Sequence, residues 1–118
     1  MSYQPTVVFD FDGVIHSYVS GWGGIDVIPD PPVPMIEEEI ARIRKAGYKV
    51  VVVSTRCIES KGLAAVRDYL DSNGIVVDDV LAEKPPALVY IDDRAIRFDG
   101  DPRGLLEQIR SFKPWHQK

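Results

Sequence analysis

Near its N-terminus the chain reads Thr6-Val7-Val8-Phe9-Asp10-Phe11-Asp12-Gly13-Val14, an apolar run that ends in two aspartates two positions apart. Side chains alternate between the two faces of a strand, so Asp10 and Asp12 should project the same way while Phe11 points into the core. Gly13 allows a sharp change of chain direction. Two carboxylates held this close repel each other unless a cation or a proton lies between them. The pattern indicates a metal or acid/base site, although Asp-Gly is also an ordinary turn dipeptide.

Length and composition limit the classes of protein to consider. The 118 residues suit one domain, and we expect a single unit over residues 1–118. The formal net charge of −4 predicts no extended surface for duplex DNA, although a few local cations could hold one phosphate. The single cysteine, Cys57, excludes an internal disulfide framework. The sequence shows neither a signal segment nor a long apolar run, so we expect a cytoplasmic protein without a membrane segment.

Residues 15–34 are rich in glycine and proline. This composition predicts a loop with at most a small hairpin, because proline removes donors from a strand ladder and glycine costs entropy in regular structure. A loop of this length inside a compact domain is usually functional. Trp22 lies at its glycine-rich tip. It is either a lid or stacking surface for a base, or a plug that folds back over the core.

The rest of the chain alternates helical and strand patterns. We predict helices from Pro34 to Gly47, over 60–73 and over 103–112, and strands over 48–53, within 75–81 and over 87–91. This alternation predicts an α/β fold with a doubly wound, mainly parallel sheet and right-handed crossovers. The last residues, 113–118, are expected to fray.

Polar side chains follow three of the predicted strands, at the edge where the ligand site of a doubly wound sheet lies. They are Asp10 and Asp12, then Ser54 and Arg56, then Asp92 and Asp93, with Lys84 just before the last of these strands. Four carboxylates on one rim need a cation, and oxygen ligands suit Mg²⁺. A metal, a hydroxyl and a lysine together suit phosphoryl transfer, in which an aspartate can act as the nucleophile.

Four motifs, in this order, resemble those of the haloacid dehalogenase (HAD) superfamily of phosphohydrolases: Phe9-Asp10-Phe11-Asp12-Gly13-Val14, Val53-Ser54, Lys84-Pro85 and Tyr90-Ile91-Asp92-Asp93. The resemblance covers nearly the whole chain and implies a HAD-like Rossmannoid three-layer sandwich. More narrowly, the Ser54-Thr55-Arg56 and Asp92-Asp93-Arg94 variants are similar to those of the phosphatase domains of polynucleotide kinase-phosphatases and of small stand-alone phage and bacterial HAD proteins. HAD enzymes commonly carry a cap domain. Here residues 15–34 stand in its place, which implies a capless core with an open site.

The resemblance also implies a role for each motif residue. Asp10 would be the nucleophile and Asp12 the general acid/base. The metal Mg²⁺ would be held by an Asp10 carboxylate oxygen, the backbone carbonyl of Asp12 and Asp92. In the same scheme Ser54 would hydrogen-bond the phosphoryl group, Lys84 would offset its charge, and Asp93 would bond Lys84 or a metal-bound water.

Five further residues are candidates for substrate contacts: Gly13, His16, Trp22, Thr55 and Arg56. Arg56 could bind a phosphate or sugar oxygen in a bidentate manner, or pair with an acid. A structural hydrogen bond is an equally good interpretation of His16. We expect no role for His116, and we expect Arg94 to anchor a loop.

Together the motifs predict a Mg²⁺-dependent phosphomonoesterase that acts through an aspartyl-phosphate, as a monomer or homodimer. The expected partner is a phosphorylated small molecule or a nucleic-acid end, with a nucleotide or polynucleotide-end phosphate preferred. The alternative is a regulatory or binding module without significant turnover, either HAD-like or resembling a response-regulator receiver. In receivers the phosphorylated aspartate lies on a later strand and the lysine follows the last strand. Here the double aspartate comes last and Lys84 precedes it, so the order of the motifs favours the phosphatase.

Overall fold

The computed structural model describes residues 3–117, which form a four-stranded parallel sheet and three α-helices. In chain order the elements are β1 (Thr6–Asp10), α1 (Ile36–Lys45), β2 (Lys49–Val53), α2 (Ser60–Ser72), β3 (Asp79–Leu81), β4 (Val89–Ile91) and α3 (Leu105–Ser111), with a short 3₁₀ helix at Thr55–Ile58. The prediction of an α/β fold with a parallel sheet is confirmed, and the arrangement is compatible with a Rossmann-like sandwich. Among the described residues, no helix is both long and apolar enough to cross a membrane.

The order of the strands determines where a ligand site can form. The strands lie in the order β3-β2-β1-β4, and each neighbouring pair is parallel. The chain therefore moves outward from β1 to β2 and β3, and then crosses back to the other side of β1. In open α/β sheets such a reversal leaves a crevice at the carboxyl ends of the two strands that flank it. In this protein those strands are β1, which ends at Asp10, and β4, which is followed by Asp92.

Most of the core lies on the face of the sheet that α1 and α2 cover. Alternate side chains of β1 and β2 pack there against the two helices: Val7, Phe9, Val50, Val52, Ile40, Val66 and Leu70. Phe11, which follows β1, is completely buried in the same cluster, as its position in the alternating pattern predicts. Burial of one such side chain contributes about 1.5–3 kcal/mol. The packing of this face therefore holds β1 and β2 firmly beneath the crevice.

Several elements are shorter than predicted: β4 begins at Val89 rather than at residue 87, and α3 spans Leu105–Ser111 rather than 103–112. Helix α1 begins at Ile36 rather than at Pro34, because Met35 adopts a left-handed conformation with φ of 71° and separates the proline from the helix. Strand β3 is restricted to Asp79–Leu81. Just before it, the Asp78 carboxylate accepts hydrogen bonds from the Val50 backbone N–H at 2.8 Å and from Arg44 at 3.0 Å. These bonds connect the approach to β3 with β2 and α1.

The prediction that the end of the chain frays is wrong for residues 113–117. Pro114 is buried, and the Trp115 indole Nε1–H donates a hydrogen bond of 2.6 Å to the backbone carbonyl of Gly13. The segment therefore returns to the loop that follows β1. The polar composition of residues 113–117 could not predict this contact, because the acceptor is a backbone carbonyl 102 positions earlier in the chain.

Candidate functional site

Three aspartates meet at the crevice between β1 and β4. Asp10 is the last residue of β1, and Asp92 and Asp93 directly follow β4. One carboxylate oxygen from each lies within 4.8 Å of the others. The Lys84 ammonium Nζ lies 2.9 Å from Asp92 Oδ2 and brings a positive charge to the edge of this cluster. The sheet thus brings together Asp10, Asp92 and Asp93, which the sequence places at the carboxyl ends of strands, and Lys84, which it places before the last strand.

The electrostatics of the cluster favour a shared proton or a cation. Burial, followed by the charge of Asp92 and a hydrogen bond with Asp93, raises the pKa of Asp10 to about 7. Asp93 is almost completely buried, and with the carboxyls ionised its Oδ1 has no hydrogen-bond donor among the described residues. Burial also acts to raise the pKa of Asp92, but hydrogen bonds from Lys84 and the Arg94 backbone outweigh it and lower the pKa. Oxygen donors of this kind suit Mg²⁺.

Asp12 turns towards Arg56 instead of joining the cluster. Its Oδ2 accepts a hydrogen bond from Arg56 Nε at 2.8 Å, and its Oδ1 accepts from Arg56 Nη2 at 3.2 Å. The Arg56 side chain is completely buried, and its Nη1 donates to the carbonyls of Gly24 and Ile25. This ion pair connects the end of β1, the segment after β2 and the loop of residues 15–34.

His16 also holds Asp12. Three backbone N–H groups, from Val14, Ile15 and His16, donate to the Phe11 carbonyl, so the chain doubles back after β1 and brings the imidazole beneath Asp12. His16 Nε2 accepts from the Asp30 backbone N–H at 3.1 Å, so the ring proton lies on Nδ1, which donates to Asp12 Oδ1 at 2.8 Å. Although burial acts to raise the pKa of Asp12, hydrogen bonds from His16 and Arg56 lower it overall. Asp12 is therefore held as a carboxylate.

The structure places several predicted site residues together in one cleft of about 350 Å³, lined by Asp10, Asp12, Tyr18, Trp22, Val53, Ser54, Thr55, Ala82, Lys84 and Arg94. Ser54 is buried at its floor, and its Oγ accepts a hydrogen bond from the Arg56 backbone N–H at 3.2 Å. The Ser54 hydroxyl proton therefore points away from that bond and is free for an acceptor in the cleft. Thr55 is exposed at the rim.

Three of the five candidate substrate contacts do not line the cleft, and for His16 and Arg56 the structure favours the structural alternative. His16 and Arg56 are completely buried, and their polar atoms are engaged within the protein, so both support Asp12 instead of reaching the cleft surface. Gly13 does not line the cleft. A Cβ at this position would lie 2.2 Å from Asp93 Oδ2, so Gly13 serves the close packing behind the cluster.

Of the two positions considered for Trp22, the structure excludes the plug over the core and leaves the ring exposed at the cleft. The Arg56 guanidinium carbon lies 4.5 Å from the centre of the indole ring, in a cation–π contact, and 58% of Trp22 is exposed. Trp22 is therefore not a plug over the core. Trp22 lies at the wall of the cleft and packs against the Arg56 guanidinium, which its own hydrogen bonds to Asp12, Gly24 and Ile25 hold in place.

Four residues with contacts at the site were not predicted. Tyr18 and Arg94 line the cleft, and Trp115 and His116 pack behind it. The signal for Arg94 was its position directly after the two aspartates, and that for Tyr18 was its place in the long loop. No sequence signal pointed to Trp115 and His116, because neither belongs to a periodic pattern.

Sequence comparison adds no relative to these observations. No family model matches the chain, and no curated protein has a significant sequence match to it. The resemblance to the HAD motifs remains a prediction. The proposed function below therefore depends on the residues of the cleft themselves.

Proposed function

We propose that this protein is a Mg²⁺-dependent phosphomonoesterase of the HAD type, with Asp10 as the nucleophile. The observation that carries the proposal is the meeting of Asp10, Asp92 and Asp93 within 4.8 Å at the crevice where the strand order reverses. Lys84, bound to Asp92, and the buried Ser54 stand beside them. This combination of a carboxylate nucleophile, further acids, a lysine and a hydroxyl suits phosphoryl transfer.

The donor set fits a hard cation. Mg²⁺ would be held by the carboxylates of Asp10 and Asp92 and by the backbone carbonyl of Asp12, and oxygen-only ligands are those it prefers. The buried Asp93 Oδ1, which lacks a donor among the described residues, adds negative potential that favours a cation. When bound, the metal would offset negative charge on the phosphoryl oxygens.

In the proposed reaction each of these side chains has a distinct role. The Asp10 carboxylate attacks phosphorus, the bond from phosphorus to the leaving oxygen breaks, and an acyl phosphate forms on Asp10. Ser54 donates a hydrogen bond to the phosphoryl group, and the Lys84 ammonium offsets its charge. Water then attacks the same phosphorus, which releases inorganic phosphate and restores Asp10.

Asp12 suits the second of these steps better than the first. Its pKa is lowered by His16 and Arg56, so it is ready to accept a proton from the attacking water. A leaving alkoxide in the first step needs a proton, which an ionised carboxylate does not hold. An aryl phosphate expels a stabilised phenolate and has no such need. We therefore expect aryl phosphates to be hydrolysed readily in this conformation of Asp12.

The experiment that tests the function is phosphate release from a panel of phosphomonoesters. The panel contains a chromogenic aryl phosphate, nucleoside monophosphates, and oligonucleotides phosphorylated at the 3′ or 5′ end, each with Mg²⁺ or with a chelator. Release that requires Mg²⁺ supports the proposal, and the best substrate identifies the class. Binding of Mg²⁺ with no release from any member of the panel contradicts it and favours a receiver-like or HAD-like binding module.

Trp22 favours a substrate that carries a base. Its indole stands at the wall of the cleft that contains Asp10, Ser54 and Lys84, and one side of the ring is occupied by Arg56. The exposed part of the ring offers a stacking surface for a second planar group. A ligand with its phosphate at Lys84 and a base at Trp22 fits this arrangement, so a nucleotide or a polynucleotide end is the preferred substrate.

Replacement of Trp22 by alanine should lower kcat/KM for a nucleoside monophosphate by about 10-fold, since stacking on one aromatic side chain contributes about 1–3 kcal/mol. The same variant should hydrolyse ribose 5-phosphate, which has no base, almost as well as the wild type does. Steady-state kinetics on the two substrates measure the difference, and Trp22→Phe, which keeps a ring, should retain most of the preference. An equal loss on both substrates would show that Trp22 does not contact a base.

A further inference from the structure

The segment of residues 113–117 reaches the back of the aspartate cluster through His116. Its Nε2 lies 2.7 Å from Asp93 Oδ2, and only 2% of the His116 side chain and 1% of the Asp93 side chain are exposed. Because the carboxylate can only accept, the imidazole donates its Nε2 proton. One residue earlier, Trp115 donates to the Gly13 carbonyl at 2.6 Å. Two adjacent side chains thus connect this segment with both strand ends of the crevice.

Gly13 makes room for this contact. Its φ is 84°, and a Cβ there would lie 2.2 Å from Asp93 Oδ2 and 2.9 Å from His116 Nε2. A side chain at this position would therefore have to push the two residues apart. The close approach shows that the loop after β1, Asp93 and His116 are packed as one buried unit.

The ring of His116 is held in orientation by aromatic neighbours. Tyr18 and Trp115 pack against it nearly at right angles, with ring centres at 5.5 Å and 5.6 Å. Tyr18 also lines the cleft. The imidazole therefore presents its Nε2–H to Asp93 from a fixed direction.

The two carboxylate oxygens of Asp93 have different surroundings because of this contact. Oδ2 is occupied by His116, whereas, with the carboxyls ionised, the buried Oδ1 has no hydrogen-bond donor among the described residues. Asp93 also supplies an oxygen to the cluster with Asp10 and Asp92. A hydrogen bond that fixes one oxygen of a carboxylate fixes the direction of the other, which is how outer hydrogen bonds orient metal ligands.

We propose that His116 is a positioning residue for the Mg²⁺ site: its hydrogen bond holds the Asp93 carboxylate against Asp10 and Asp92 in the orientation that favours a bound cation. The inference rests on the proposed function, since it concerns the same cluster. It assigns a role to residues 113–117, which bring a hydrogen-bond donor to the buried carboxylate of Asp93.

The test is Mg²⁺ binding to the full chain, measured by isothermal titration calorimetry after removal of metal with a chelator. His116→Phe keeps a ring against Tyr18 and Trp115 but has no N–H, and it should weaken Mg²⁺ binding about 10-fold or more, in the range found for partners of metal ligands. His116→Gln carries an N–H at a similar reach and should restore most of the affinity. Gln117→Ala changes the neighbouring exposed residue and should bind as the wild type does.

Urea unfolding of the chelated variants separates positioning from folding, because the positioning role predicts weaker Mg²⁺ binding in a variant that remains folded. If His116→Phe does not fold, His116→Asn replaces it, since its shorter amide falls short of Asp93 Oδ2. Equal Mg²⁺ affinity in the wild type and the donor-free variant would overturn this inference alone. A wild type that does not bind Mg²⁺ would overturn both the inference and the proposed function.

Discussion

Asp10→Asn is expected to lower Mg²⁺-dependent phosphate release by at least about 10³-fold, since loss of a catalytic nucleophile in other hydrolases costs up to about 10⁶-fold. An amide nitrogen or oxygen does not form an acyl phosphate as a carboxylate does. Asp10 ends β1 at the crevice, beside Lys84 and Ser54, so no other carboxylate among the described residues combines a strand end with this position in the cleft. The aryl phosphate of the panel gives the measurement. Asp71→Asn, an exposed change on α2, is the matched control and should be fully active.

The same variant should remain folded and should lose a pH dependence of stability. In the metal-free protein the pKa of Asp10 is raised from 3.8 to about 7, mainly by burial. Because the folded protein binds the Asp10 proton more tightly than the unfolded chain does, protonated Asp10 stabilises the fold below pH 3.8. This stability is lost as the pH rises through 7. Asp10→Asn removes this titration, so its urea midpoint should exceed that of the chelated wild type at pH 8 and differ less at pH 5.

Two results would contradict the assignment of Asp10. Release at the wild-type rate from Asp10→Asn would show that another group attacks phosphorus. A wild-type protein that takes up one phosphoryl group on Asp10 and keeps it would support the receiver-like alternative, because a phosphatase must also hydrolyse the acyl phosphate.

Arg56→Ala is expected to lower the free energy of unfolding by about 3–5 kcal/mol, the usual cost of removing one partner of a buried ion pair. Arg56 is completely buried and donates to both oxygens of Asp12 and to two carbonyls of the loop of residues 15–34. Without it Asp12 keeps its charge beneath the cleft with His16 as its remaining donor, and Trp22 loses the cation under its ring. Urea unfolding at pH 7 measures the loss. Arg67→Ala, an exposed change on α2, should cost much less.

The loss should also depend on pH. The pKa of Asp12 is lowered in the folded wild type, so its ion pair stabilises the protein above pH 3.8 and is lost as the pH falls further. In Arg56→Ala, burial raises the pKa of Asp12 with less opposition, and the group takes up a proton in mild acid. The difference between variant and wild type should therefore shrink between pH 7 and pH 4. A loss below about 1 kcal/mol at pH 7, the level of an exposed pair, would show that the ion pair is not important for folding.

Much of the fold and of the crevice could be predicted because both depend on local patterns. The alternating and continuous apolar runs predict β1 and β2, and the helical spacing of Ile36, Ile40 and Ile43 predicts α1. Parallel strands end at the same edge of a sheet, so residues that follow different strands lie near one another at that edge. This can be predicted even when the conformations of the loops are unknown. Asp10, Asp92 and Ser54 were found for this reason.

The partners of these residues could not be predicted in the same way. Arg56 meets Asp12 from 44 positions away, and His116 meets Asp93 from 23 positions away. Arg56 was expected either to bind substrate or to pair with an acid that the sequence did not identify, and His116 was expected to have no role. In each case a charged or polar side chain is buried against an irregular segment, whose position the helix and strand patterns of the sequence do not predict.

The sequence by itself therefore determined the α/β class, the parallel sheet and the strand ends at which its acids lie, because the direction of a side chain within a helix or strand follows from its position in the repeat. The tertiary structure alone decided that Asp12 is paired and ionised, that Trp22 stands on Arg56, and that the final segment contacts Asp93. The physical reason is that these contacts join irregular segments. Their geometry depends on how the whole chain packs, and the energy of one buried hydrogen bond is realised only after the packing has brought both partners together.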